Sequence, residues 1–174
     1  MMSVLQQNYF ELFGLPAQYS LDNQSLAQAY QQLQRQYHPD RFVSADAQQQ
    51  RASLQIATYA NEAYQTLKQD TARARYLLQL QGIETLDESN TAMPADFLML
   101  QMEWREALDD AKQAQDLGAL MQLSDAIQQH ATKLKQDLSL AFNQQLWTQA
   151  AGLVRELSFI DKILSDIQHS AEQF

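Results

Sequence analysis

The chain has 174 residues, enough for one domain or two small ones, and 45% of them are hydrophobic, enough for a core. The net charge of −9 lies wholly in the second half: residues 1–81 carry six basic and six acidic groups, 82–174 six basic and fifteen acidic, so nonspecific binding to nucleic acid is disfavoured. With no Cys, disulfides, thiol catalysis, cysteine-ligated zinc and a directly bound iron–sulfur cluster are excluded, and a reducing cytoplasm is the fitting compartment.

Gly (4) and Pro (3) are scarce, Gln (29), Ala and Leu abundant, and β-branched runs thin, so the expected fold class is all-α. The start, Met1 to Gln7, has neither a basic region nor a long apolar run, and no signal peptide is read there. No window approaches the ~20 apolar residues of a membrane span. Tyr9 to Leu15 reads as a short helix closed by Gly14 and Pro16. Asp22 is a candidate N-cap for a helix with the stripe Leu26, Tyr30, Leu33, Tyr37, and Leu21 can staple onto Leu26. Pro39 disfavours helical geometry at His38, so that helix ends near Tyr37 and a loop spans about 38–45. Asp46 or Ser44 then caps a helix to about Lys68, with Leu54, Ile56, Ala60, Ala63, Tyr64 and Leu67 inward. A shorter helix covers about 71–81, with Tyr76, Leu77, Leu78 and Leu80.

Gly82 opens a polar stretch taken as a linker, 82–91, between units 1–81 and 92–174. Pro94 suits a first helical position and Asp96 the first turn of a helix to about Gln115. A break near 116–118 begins the next helix, with Leu120, Leu123, Ile127, Ala131, Leu134, Leu138 and Ala141 on one side. The last helix, about 144–172, aligns Leu146, Ala150, Leu153, Leu157, Ile160 and Leu164. Three stripes at this spacing make a three-helix bundle.

The tripeptide His38-Pro39-Asp40 sits between two helical patterns. Pro39 fixes φ, so the turn is rigid; His38 offers two ring nitrogens and Asp40 an anionic acceptor. Two bland readings stand beside a presented polar surface: Asp40 as cap of the next helix, and His38 as an ordinary surface residue. A catalytic His–Asp dyad is weak, because no Ser or Cys nucleophile has a recognisable context. His130 and His169 have no ligand spacing, so no metal or cofactor is expected.

The flanking pattern decides among these readings. A tyrosine-ended helix precedes Tyr37-His38-Pro39-Asp40-Arg41, and a helix ending Asn61-Glu62-Ala63-Tyr64-Gln65-Thr66-Leu67 follows it. This resembles the J-domain, the module that stimulates ATP hydrolysis by DnaK-type chaperones. The resemblance implies a chaperone-binding surface of His38, Pro39 and Asp40 with Arg35, Tyr37 and Arg41. One departure is that residues 22–37 carry only Arg35 as a basic group, where J-domains commonly carry several, with Gln at 24, 28, 31, 32, 34 and 36. Electrostatic steering is correspondingly weaker.

The second half holds apolar residues on the wrong side. On a helical wheel centred on Trp104, Phe97, Leu100, Ala107, Leu108 and Ala111 fall within about 60°, the core stripe, while Leu98, Met99 and Met102 fall roughly 120–160° away with Glu106 and Asp109. In the last helix Phe159 falls about 160° from Leu157. Either these four face a partner, or they bury against the first unit or in a wider bundle interior.

Taken whole, the chain is similar to the HscB family, J-domain co-chaperones of iron–sulfur cluster assembly. Phe97 to Leu108 falls where that family carries its scaffold-binding helix, and Arg155 to Lys162 on its final-helix motif. The resemblance implies that the scaffold protein IscU docks on Leu98, Met99, Met102 and Phe159, with Glu103, Arg105 and Glu106 as polar contacts. It also implies an HscA-type ATPase as the other partner and no covalent chemistry. Two rivals stand: a J-protein serving another client, its bundle used for dimerisation or docking, and an all-α enzyme using Glu103, Glu106 and Asp109.

Overall fold

A computed structural model describes residues 3–85 and 93–174, and every regular element among them is helical. The chain divides into two units, Met1–Leu77 and Leu78–Phe174. Of the linker expected at 82–91, residues 86–91 lie outside the described residues.

The first unit is built around a helical hairpin. Helix α1, Tyr9–Leu12, is capped by Asn8, whose Oδ1 accepts from the Glu11 backbone N–H at 2.8 Å. Two residues past its end, Gly14 takes the left-handed conformation at φ 65°. Helix α2, Asn23–Gln36, is capped by Asp22, and helix α3, Ala47–Leu67, by Asp46, whose carboxylate accepts from Gln49 N–H at 2.7 Å. Helix α4, Asp70–Leu80, begins in this unit and runs past its edge. Between α2 and α3 the expected loop contains a further element, a 3-10 turn at Pro39–Phe42.

What closes the hairpin is mostly aromatic. Leu26 is fully buried, while Tyr30 stacks on Tyr64 across the two arms at 4.2 Å and 19°. The Tyr30 hydroxyl donates to Asn61 Oδ1 at 3.0 Å. A guanidinium ties down the base of the unit. Arg73 is buried; it donates to the Tyr19 carbonyl at 2.7 Å and to the Leu67 carbonyl at 2.8 Å, and pairs with Asp70 at 2.8 Å. The Leu67 carbonyl is one of the orphans that a helix end leaves, so Arg73 acts as a C-terminal cap from the next helix.

One expected inward residue faces water instead. Leu54 is 58% exposed, and Ser53 beside it is buried. Ser53 can be buried because its hydroxyl donates to the Gln50 carbonyl at 2.8 Å. Leu80, in the last turn of α4, is also exposed.

The second unit contains α5 (Ala95–Ala114), α6 (Leu117–Asn143) and α7 (Trp147–Glu172). Pro94 is the cap of α5 rather than its first residue. The turns between helices pass through Gln115 and Gln145, at φ 50° and 57°, both in the left-handed region. The core is Phe97, Trp104, Leu108 and Ala111 of α5 with Leu120, Ile127, Ala131, Leu134, Leu138 and Ala141 of α6. From α7 it takes Ala150, Ala151, Val154, Leu157, Ile160, Ile163 and Ile167. Leu100 is half-buried and Ala107 exposed, although both lie on the wheel's core side. Leu146 precedes α7 instead of opening its stripe, and it too is exposed. Leu153 and Leu164 are only half-buried, and Val154, Ile163 and Ile167 take the interior instead.

His130 packs among α5 aromatics, with ring centroids 5.5 Å from Trp104 and 6.2 Å from Phe97. Burial, and secondarily the Lys133 ammonium, hold its pKa below the ordinary 6.5. The folded bundle therefore binds this proton less readily than the unfolded chain does. The stabilisation it brings is full above pH 6.5 and is lost as the pH falls below that value. Glu156, raised by burial, pulls the other way at lower pH, so a paired comparison is needed. His130→Phe keeps the ring packing and removes the titration. The drop in urea midpoint between about pH 7.5 and about pH 5.5 should be smaller in that variant than in the parent.

Candidate functional site

Two exposed surfaces gather the residues singled out from the sequence, one in each unit. The first is the turn between α2 and α3. Helix α2 ends at Gln36, Tyr37 caps it by donating to the Leu33 carbonyl, and His38 is extended at φ −62°, ψ 136°. That is the geometry Pro39 imposes on its predecessor. His38 Nδ1 accepts the Asp40 backbone N–H at 3.2 Å and lies 3.6 Å from Asp40 Oδ2. Only one ring nitrogen is thus free for a partner: accepting at Nδ1 leaves the neutral ring's proton on Nε2, an assignment that follows from the bonding. Asp40 does not cap α3, since Asp46 does. Its carboxylate is 88% exposed.

A groove runs beside this turn along α2 and α3. It brings together Arg35, His38, Pro39 and Arg41 with Tyr30, Gln34 and Asn61. Tyr37 and Asp40 do not line it. No lining residue is acidic, and neither arginine is in an ion pair among the described residues. Gln34 donates to the Tyr30 hydroxyl at 2.8 Å, and that hydroxyl donates on to Asn61. The Gln-rich helix thus supplies an ordered row of neutral polar groups where point charges are few.

The second surface lies on α5 and α7. Leu98, Met99, Met102 and Phe159 are all exposed, Met102 by 72% and Phe159 by 46%. A groove between the helices brings Met102, Arg105, Glu106 and Phe159 together, floored in part by Trp104. Leu98, Met99 and Glu103 do not line it; Leu98 and Met99 sit about one turn N-terminal to Met102 on the same helix. Arg105 is already engaged, its guanidinium 2.7 Å from Asp166 of α7. Sequence reasoning missed Asp166 and Asp110; Asp110 joins the groove's rim together with Asp109 and Lys162. The groove thus combines an apolar floor with a mixed-charge edge. Glu103, Glu106 and Asp109 are exposed. Among the described residues, no three side chains of ligand type gather where they could hold a metal. None of the described helices is long and apolar enough to cross a membrane.

A helical hairpin presenting His-Pro-Asp, followed by a three-helix bundle, defines a J-domain protein with a helical C-terminal module. Residues 8–76 match the DnaJ domain family, and 93–168 match the family described as the HSCB C-terminal oligomerisation domain. A co-chaperone protein HscB homolog of Paraburkholderia xenovorans is 45% identical over 177 residues, spanning 99% of this chain and 98% of that one. One of Burkholderia thailandensis is 42% identical over 172 residues with the same coverage. The solved chaperone HscB from Vibrio cholerae superposes with a TM-score of 0.85 at 37% identity, over 96% of this chain and 99% of that one. The chain belongs to the HscB family of co-chaperones. It is therefore a J-domain co-chaperone, the kind of protein whose partner is an Hsp70-type chaperone.

Two side chains of α7 separate packing from presentation. Leu157 is fully buried and Phe159, two residues on, is exposed. Leu157→Ala should cost about 3 kcal/mol of unfolding free energy, and Phe159→Ala less than about 1 kcal/mol. Urea titration of the full chain distinguishes them, and a loss of core size in Phe159→Ala would place that ring in the interior.

Proposed function

We propose that this chain stimulates the ATPase of an HscA-type chaperone and delivers to it the iron–sulfur scaffold protein IscU, aiding cluster assembly and transfer. The observation that carries the reading is that both exposed surfaces consist of side chains the cores do not need. His38 and Asp40 stand on one unit, Met102 and Phe159 on the other. The turn would engage the ATPase through the imidazole Nε2, the Asp40 carboxylate and the guanidinium groups of Arg35 and Arg41. The apolar floor of Met102 and Phe159, extended by Leu98 and Met99, would hold the scaffold, with Glu103, Arg105 and Glu106 at its edge. Holding client and chaperone on one chain raises the local concentration of each for the other. The chain performs no covalent step in this scheme. The absence of Cys suits a carrier that should not compete for the scaffold's metal cargo.

His38→Gln should abolish stimulation of steady-state ATP hydrolysis and leave scaffold binding unchanged. Met102→Ala and Phe159→Ala should each weaken scaffold binding about tenfold or more and leave stimulation intact. Binding to purified IscU by calorimetry and a coupled ATPase assay read the two halves separately. A chain that stimulates the ATPase but ignores IscU would instead be a J-protein for another client.

A further inference from the structure

The turn that carries His38-Pro39-Asp40 is held at both ends, and only one of the holds is local. At its start, His38 Nδ1 takes the Asp40 N–H, and the Arg41 N–H closes on the His38 carbonyl at 3.0 Å. At its end the chain leaves the 3-10 turn at Phe42 and must reach Asp46, the cap of α3. The Phe42, Val43 and Ala45 carbonyls of that stretch lie outside α2 and α3, and that of Phe42 already accepts the Ala45 N–H at 3.0 Å. The Gln50 side-chain amide reaches back from the first turns of α3 and donates to all three, at 3.0, 3.3 and 3.3 Å. Two hydrogens are shared among three acceptors, so one of them is bifurcated.

We propose that Gln50 is a positioning residue: by clamping the carbonyls of Phe42, Val43 and Ala45 it keeps the His38-Pro39-Asp40 turn in the form a chaperone ATPase binds. This rests on the chaperone-binding reading above. The Gln50 amide bonds to none of the three presented side chains among the described residues and acts through the backbone that carries them. The bonds are exposed, so each adds little to global stability. Their effect falls on the population of one loop conformation. When the competent form becomes a minor fraction, the apparent affinity drops by that fraction while the complex, once formed, is unaltered. The fingerprint is a higher half-saturating concentration at unchanged maximal stimulation.

The test is ATPase stimulation by the full chain, titrated against an HscA-type chaperone, for four variants. Gln50→Glu cannot donate and sets a carboxylate against three carbonyls. Gln50→Lys keeps a donor. Gln48→Glu makes the same charge change two residues away, at an exposed side chain that makes no hydrogen bond to the loop among the described residues. His38→Gln reports on the underlying reading. Gln50→Glu should raise the half-saturating concentration about five- to tenfold at the same maximum, with a melting temperature equal to that of Gln48→Glu. Gln50→Lys and Gln48→Glu should stay within about twofold of the parent. Hydrogen exchange at the Arg41 and Ala45 amides should quicken in Gln50→Glu alone. Equal shifts in Gln50→Glu and Gln48→Glu, or no shift in Gln50→Glu while His38→Gln is inactive, would overturn the role of Gln50. Full stimulation by His38→Gln would instead remove the chaperone-binding reading and this inference with it.

Discussion

A loop between two helices is only as definite as the joint between its arms. In this chain that joint is a stacked pair of tyrosines, Tyr30 on α2 and Tyr64 on α3, with one hydrogen bond to Asn61. Everything that the first unit presents stands on it. Little else along α2 is interior: it buries only Leu26 outright, and most of its exposed surface is Gln. The stack supplies apolar area and a fixed separation at the point where the arms leave the core and approach the turn. Below it, Arg73 fastens the start of α4 to the last carbonyl of α3, so that the hairpin has a rigid base as well.

The second unit solves a different problem. Its helices are long and their stripes continuous, and the interior is filled by aliphatic side chains with Phe97 and Trp104 at one end. Because that core is complete without Met102 and Phe159, the bundle leaves flexible, polarizable surface on α5 and α7. The Arg105–Asp166 pair crosses the same two helices beside it. Exposed on both sides, that pair adds little to folding but sets where the rim charge stands.

Much of this was legible in the sequence, because the signals are local. His38-Pro39-Asp40 is three consecutive residues with a mechanism attached, and the displacement of Met102 and Phe159 follows from helical periodicity within a single helix. The misses share a cause as well. Leu54 was placed inward because size favours burial, yet the neighbouring Ser53 fits there once its hydroxyl finds a carbonyl. Ala107 lies on the inner side of the wheel but is small enough to be exposed at little cost. Leu146 was counted into a helix that begins one residue later, beyond a turn that Gln145 makes in the left-handed region. Asp166 is 61 residues from Arg105, a pairing no periodicity encodes. Gln50 is one of 29 glutamines, and what sets it apart is the reach of its amide to three carbonyls.

The exposure of the presented turn has a genetic consequence. Asp40 makes no bond that the fold requires beyond its backbone N–H, and its carboxylate lies almost wholly in solvent. Substituting it removes no buried contact, so a chain altered at this position should fold, survive proteolysis and accumulate like the parent. On the adaptor reading its other unit still occupies the scaffold. On that same reading such an allele would be worse than a deletion: it would sequester the client without passing it on, and its phenotype would be dominant in the presence of the intact protein.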